Sequence, residues 1–308
     1  MNEHYGNPAT SAKDLVSWDG AVGGRPASAF GVRTATSDEM GWIIEQAARE
    51  GWNPGLHDAA SFYAADPEGF FVAQRNGELL GCISAVRYGD GLGFIGLYIV
   101  REPYRGQGVG MALWREGMAH LAGCLVGLDG VPAQQANYAR SGFVLAWGNQ
   151  RFDGPVPERA PASNPHVVPL ADVDFDALCA DDRRVFPADR TAFLRAWVQQ
   201  PGAVGRAWRE GGRLRGWALA RRCRDGYKIG PLVADEASIA RTLADAVCAV
   251  LPPGERVALD VPLTHPDAVQ IAHDLGLQPG FETARMYTGP APRTEAQRVF
   301  GITSFELG

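Results

Sequence analysis

Cysteine is scarce and scattered: five in 308 residues, at positions 82, 124, 179, 223 and 248, an odd number with no CxxC spacing. A disulfide framework or a thiolate zinc site needs paired, closely spaced cysteines. Reduced core thiols in a cytoplasmic chain are therefore the expectation, and with the six histidines away from the cysteines no metal site is expected. No run approaches the ~18–20 apolar residues that cross a bilayer. Residues 1–10 carry neither a basic leader nor an apolar core, so no membrane partner and no signal peptide are expected. An excess of basic charge is missing too. With 29 basic against 35 acidic residues, both signs interspersed, the chain has no general nucleic-acid face, although a local anion site remains open to it. What is present is an ordinary globular composition, 46% apolar and 21% charged, long enough for about two domains.

Two stretches lack hydrophobic periodicity: residues 1–29, read as a flexible N-terminal tail, and the proline-rich residues 154–165, read as a linker. The segments on either side share a layout. Thr36 and Glu39 fit a capping box before a helix bearing Met40, Ile43, Ile44 and Ala47. Residues 70–88 read as a hairpin turning at Asn76-Gly77, and residues 205–222 repeat it with Gly211-Gly212 at the turn and Gly216 in the place of Gly81. A β-rich run follows each hairpin (94–100 and 227–233), then an amphipathic helix, a short strand and a second helix. The order of elements predicts two copies of one α+β unit.

Chemistry concentrates in residues 101–121. An apolar strand runs into Arg105-Gly106-Gln107-Gly108-Val109-Gly110, and a helix begins at once. Glycines permit positive φ and close approach of a ligand to the backbone. Successive N–H groups at a helix start make an anion site, and an arginine adds a charged donor suited to phosphate. The spacing is not that of a dinucleotide fold, and no Gly-Lys-Ser/Thr follows to make a nucleotide-binding P-loop.

With Arg105, Gly108 and Gly110 in its three fixed positions, this run resembles motif A of the GNAT N-acetyltransferase superfamily. The resemblance implies acetyl-coenzyme A as co-substrate, without a metal. Its pyrophosphate would lie on the amides from Arg105 through Gly106, Gln107, Gly108, Val109, Gly110 and Met111. Its pantetheine arm would pair with the backbone of Tyr98, Ile99 and Val100. Downstream, Tyr138, Arg140, Gly142 and Phe143 are similar to the family's Tyr-x-Lys/Arg-x-Gly-Phe, whose tyrosine protonates the departing thiolate. The family's usual Asn and Ala earlier in that helix are replaced by Val131 and Gln134, which leaves Asn137 as the pantetheine contact. The whole chain resembles tandem GNAT proteins. The resemblance implies two domains, each a mixed, mostly antiparallel sheet flanked by helices: a catalytic domain at 30–153 and a degenerate one at 166–292, with a C-terminal tail at 293–308.

Comparison of the copies favours one working site. Between Gly230 and Gly254 the second copy has no glycine, and Asp235 and Glu236 stand where a phosphate cradle would be. If Gly276 corresponds to Gly142, Ala272 replaces Tyr138. No carboxylate lies in the central run 94–100 to serve as general base. Candidate acceptor-site or base residues are Trp52, Asn53 and His57 in the loop after the first helix, and Tyr227, Asp260 and Arg285 from the second copy. Glu102 lies at the loop edge. The expected reaction is direct transfer of acetyl to a small-molecule or peptide amine. The alternative is a non-catalytic acyl-CoA-binding regulatory protein, and a longer acyl donor is also open.

Overall fold

The computed structural model describes residues 30–158 and 164–308. The stretch read as an N-terminal tail, and residues 159–163 of the stretch read as a linker, lie outside the described residues. One series of elements occurs twice. The first is β1 Gly31–Thr34, α1 Met40–Arg49, α2 Asp58–Ala65, β2 Phe70–Arg75, β3 Glu78–Tyr88, β4 Leu92–Val100, α3 Val109–His120, β5 Leu125–Gly130, α4 Gln135–Arg140 and β6 Val144–Pro155. The second is β7 Val167–Pro169, α5 Phe175–Val185, α6 Thr191–Val198, β8 Val204–Glu210, β9 Arg213–Arg222, β10 Tyr227–Ala234, α7 Ala237–Cys248, β11 Arg256–Pro262, α8 Pro266–Asp274 and β12 Gln278–Tyr287. A last strand, β13, spans Val299–Gly301.

Local chemistry explains the repeat. The Thr36 N–H donates to Glu39 Oε2 at 2.9 Å, satisfying a donor that the helix start would otherwise orphan. Both hairpin turns need two residues at positive φ: Asn76 and Gly77 (49° and 85°), and Gly211 and Gly212 (56° and 78°). A Cβ at Gly81 would lie 2.6 Å from the Ile99 carbonyl oxygen, and one at Gly216 would lie 2.7 Å from that of Val233. The same close strand approach thus demands glycine in both copies.

The two copies share one mixed sheet in the order β1-β2-β3-β4-β5-β12-β6-β11-β10-β9-β8-β7. The last strand of each copy crosses to the other: β12 pairs with β5, and β6 pairs with β11. Gly154 and Pro155, read as the first linker residues, are the end of β6 and face Val257 and Arg256. One buried cluster is shared between the copies, joining Phe62, Phe70, Phe94 and Leu97 to Phe193, Trp197, Trp217 and Val233. Helices α3 and α4 in the first copy, and α7 and α8 in the second, cover clusters of their own.

Residues 293–308 are not a tail. β13 pairs antiparallel with β10 (Leu232 with Gly301, Val233 with Val299), and the Ile302 N–H donates to the Asp260 carbonyl at 2.9 Å on β11. Phe300, Ile302, Phe305 and Leu307 are all buried; Phe300 joins the second copy's own cluster and Leu307 the cluster shared between the copies. Arg298 anchors the segment through Asp181 (2.9 Å) and Asp235 (2.8 Å).

Candidate active site

Strands β4 and β5 run parallel but pair only from Leu92/Leu125 to Ile95/Leu128. Next, Leu97 takes φ +47°, and the register against β3 slips between Cys82/Ile99 and Ser84/Gly96. This bulge bends β4 away from β5. A cleft of about 1160 Å³ opens at the fork, bounded by Gly96, Leu97 and Tyr98 on one side and by Leu128, Asp129, Gly130 and Tyr138 on the other.

At the outer end of β4 the chain turns through Gly106 (φ 73°) and Gly108 (φ 82°) into α3. A Cβ at either glycine would meet open space, so backbone conformation rather than crowding requires glycine there. Among the described residues, no protein acceptor takes the N–H of Gly106, Gln107, Gly108, Val109, Gly110 or Met111; the first helical bond is Ala112 N–H to the Gly108 carbonyl. Six consecutive amides without a protein acceptor at the positive end of a 12-residue helix have the geometry that suits an anion. Arg105 lines the cleft but is engaged, its Nε on the Val100 carbonyl (2.8 Å) and its Nη2 on Glu50 (2.6 Å). It ties the loop to the end of α1.

Tyr138 stands on α4 opposite the cradle. A Cβ at Gly130 would lie 2.4 Å from its ring, so glycine there lets the phenol lie against β5. Trp114 (5.8 Å) and Phe143 (6.4 Å) hold the ring from the other sides. Burial among them pushes the hydroxyl up to about 12, so it keeps its proton at neutral pH. Asn137 is absent from the cleft lining: it donates to Gln134 and accepts from Arg140. Gln134, Pro132 and Ala133 line that stretch instead.

The acceptor-side candidates divide. Trp52 lines the cleft, and its carbonyl accepts from Lys228 at 2.9 Å. Asn53 docks on the second copy, donating to the Asp225 carbonyl at 2.8 Å and accepting from its N–H at 2.9 Å. His57 is exposed at the start of α2, and Tyr227 packs on Arg222 at the start of β10; neither lines the cleft. The loop 52–58 thus serves docking: its Asp58 is buried against Arg221 at 2.8 Å. Asp260 is clasped by Arg151 at 2.7 and 2.8 Å and is not free for a cationic acceptor. Burial pushes its carboxyl up, but the Arg151 charge and hydrogen bonds outweigh that and hold it below the usual range. Arg285 likewise clasps Asp129, at 2.6 and 2.8 Å. Sequence reasoning missed Phe281, Thr283, Phe305 and Glu306, which cross from the second copy to line the cleft. The apolar positions in residues 299–307 were the available signal.

In the second copy, among the described residues, the corresponding fork is filled. β10 and β11 fork after Ile229/Leu259, but β13 lies in the gap. Asp235, before α7, is occupied by Arg184, Arg215 and Arg298, and Ala272 is fully buried.

A forked parallel strand pair beside a glycine cradle, present once in a duplicated fold, defines a tandem acyl-transfer protein. Family models agree: residues 37–143 match the acetyltransferase (GNAT) family, and residues 178–301 match an acetyltransferase (GNAT) domain. The chain is 31% identical over 276 residues to the holothin acyltransferase of Pseudoalteromonas sp. (strain SANK 73390), covering 90% of this chain and 94% of that protein. It is 34% identical over 123 residues to the mycothiol acetyltransferase of Streptomyces bingchenggensis, covering 35% and 40%. A Pyrococcus horikoshii structure assigned as an acetyltransferase shares the fold with TM-score 0.77 at 21% identity over 92% of this chain and 98% of that one. A tandem GNAT protein from the clavulanic acid biosynthesis pathway does so with TM-score 0.60 at 13% identity, over 85% and 100%. The chain belongs to the GNAT family, as a tandem member with a degenerate second domain, and is an acyltransferase.

Proposed function

We propose that the chain transfers an acetyl group from acetyl-CoA to a small-molecule amine, using the first domain's cleft. The run of six unbonded amides at Gly106–Met111, opening onto a strand fork that ends beside Tyr138, carries this reading. The amides would hold the pyrophosphate without charged side chains, and the backbone of Tyr98, Ile99 and Val100, beyond the last pair with β5, would hold the pantetheine arm. That path delivers the thioester to the fork. Tyr138 gives its proton to the sulfur as the C–S bond breaks. Phe281, Thr283 and Phe305 wall the side open to the acceptor, and fixing the two reactants there in a partly apolar space supplies much of the rate. The relatives named for holothin and mycothiol support a small-molecule acceptor over a protein.

Calorimetric titration of acetyl-CoA into wild type and Gly108→Trp tests the site. One acetyl-CoA per chain is expected, with binding lost in the variant, because an L-residue at φ 82° is strained and its ring would cover the amides. Two sites per chain, or unchanged binding by the variant, would overturn the assignment. A screen of amines for thiol release then separates an enzyme from a protein that only binds the thioester.

A further inference from the structure

Four carboxylates line the cleft: Glu50, Glu102, Asp129 and Glu306. Glu50 is held by Arg105 at 2.6 Å, and Asp129 is clasped by Arg285. Glu102 is exposed at the outer end, beside the cradle and far along β4 from the fork. Glu306 differs on both counts. It is only 6% exposed, and among the described residues its carboxylate has neither a hydrogen bond nor a close ion pair, although the charges of Arg151 and Lys228 act on it. It sits at the fork itself: a Cβ at Gly96 would lie 2.1 Å from the Glu306 carbonyl oxygen, so the glycine is what lets this segment lie on β4 one residue past the last β4–β5 pair. The segment is fixed there. The Tyr88 hydroxyl donates to the Leu307 carbonyl at 3.0 Å, and Arg190 donates to Thr303 Oγ1 at 2.9 Å and to the Gly308 oxygen at 3.1 Å. The strand that fills the second domain's fork therefore continues directly into the first domain's fork.

We infer that Glu306, carried across from the filled fork of the degenerate domain, is the base that takes the proton from the attacking amine. This rests on the amine-acetylation reading above. A neutral amine uses its lone pair to form the C–N bond to the thioester carbonyl carbon. The C–S bonding pair leaves on sulfur, which takes the Tyr138 proton. The surplus proton on nitrogen passes to a Glu306 oxygen, directly or through one water, and exchange with solvent restores both side chains. The degenerate domain thus contributes to catalysis by supporting the segment that supplies the base.

The test uses the full chain, acetyl-CoA and three amines (benzylamine, ethanolamine and glucosamine), the fastest being carried forward with thiol release as readout. Glu306→Gln should keep the melting temperature and bind acetyl-CoA within about twofold, yet lose about 10²- to 10⁴-fold in turnover. Glu306→Ala should lose as much and regain turnover in proportion to added formate, a small carboxylate that fits the vacated space. Formate should leave wild type and Tyr138→Phe unchanged. Turnover of Glu306→Gln within about threefold of wild type overturns the assignment. So does loss of turnover in both Glu306 variants without formate rescue, which would make Glu306 a packing residue. Wild type that acetylates none of the three amines overturns instead the amine-acetylation reading.

Discussion

Tyr138 is half-buried and Lys228 buried, and loss of water shifts them in opposite directions because it penalises whichever form is charged. The Tyr138 hydroxyl, pushed up to about 12, is a proton reservoir through the whole working range. Tyr138→Phe is expected to lower kcat by about 10²-fold or more while leaving acetyl-CoA affinity unchanged, checked by steady-state kinetics beside calorimetry. Wild type should show no alkaline limb from this group below about pH 11. A limb near pH 10 that vanishes in the variant would show that burial does not shift this hydroxyl. Lys228 has lost water and faces Arg151, so its ammonium is pulled down to about 8. Between about pH 8 and its unfolded value near 10.4, the unfolded chain binds more protons at this position than the folded one. Stability of wild type relative to Lys228→Met should therefore rise with pH across that window, measured by urea denaturation of both proteins at pH 7.5 and pH 10. A difference independent of pH would mean that Lys228 is not desolvated.

At the scale of elements, β13 and its continuation depend on one buried network. Arg298 is 4% exposed and links Asp181 on α5 with Asp235 ahead of α7. Removing it leaves Asp181, itself 4% exposed, with Arg184 as its remaining cation. Arg298→Ala should cost about 3 kcal/mol of unfolding free energy, in the range for breaking a buried pair by removing one partner. If Glu306 is the base, turnover should fall with it while acetyl-CoA binding persists. A loss under about 1 kcal/mol would mean that the segment holds its place without this anchor. This element was also the hardest to read in advance. Hairpins and amphipathic helices announce themselves through period and turn chemistry, as at Asn76-Gly77 and Gly211-Gly212. Residues 289–296 carry prolines and charges that punctuate like a domain end, and the apolar positions after them follow neither a period of 2 nor one of 3.6. Such a strap has only distant partners. His57 and Asn53 misled for a related reason: polar residues in a loop suggest chemistry, whereas this loop is turned toward the second copy.

For the whole molecule, the exchange of β6 and β12 governs whether the halves can exist apart. The glycine turn into α3 and the helix starts were legible because each is a local pattern. Which strand pairs with which was not, since alternation marks a strand without naming its neighbour. The duplication suggested two independent domains, yet three buried arginine–aspartate pairs cross between adjacent elements of the seam: Arg221 with Asp58, Arg285 with Asp129, and Arg151 with Asp260. The first two join residues of opposite halves, and in the third β6 of the first half is clasped to β11 of the second. Residues 30–158 produced alone would leave β5 without β12, Asp129 without its arginine and Phe94 and Leu97 without the second half of their cluster. An unpaired strand edge over exposed apolar surface aggregates, and an uncompensated buried charge costs about 3–5 kcal/mol more. Each half expressed singly should therefore be insoluble or bind a hydrophobic dye, whereas the two expressed together should co-purify at equal stoichiometry and bind acetyl-CoA. The intact chain should unfold in one transition followed identically by far-ultraviolet circular dichroism and tryptophan fluorescence. A soluble first half that unfolds cooperatively and binds acetyl-CoA alone would show that the strand exchange decorates a self-sufficient domain. Failure of that half, with recovery on adding the other, would make the degenerate copy an obligatory part of one folding unit.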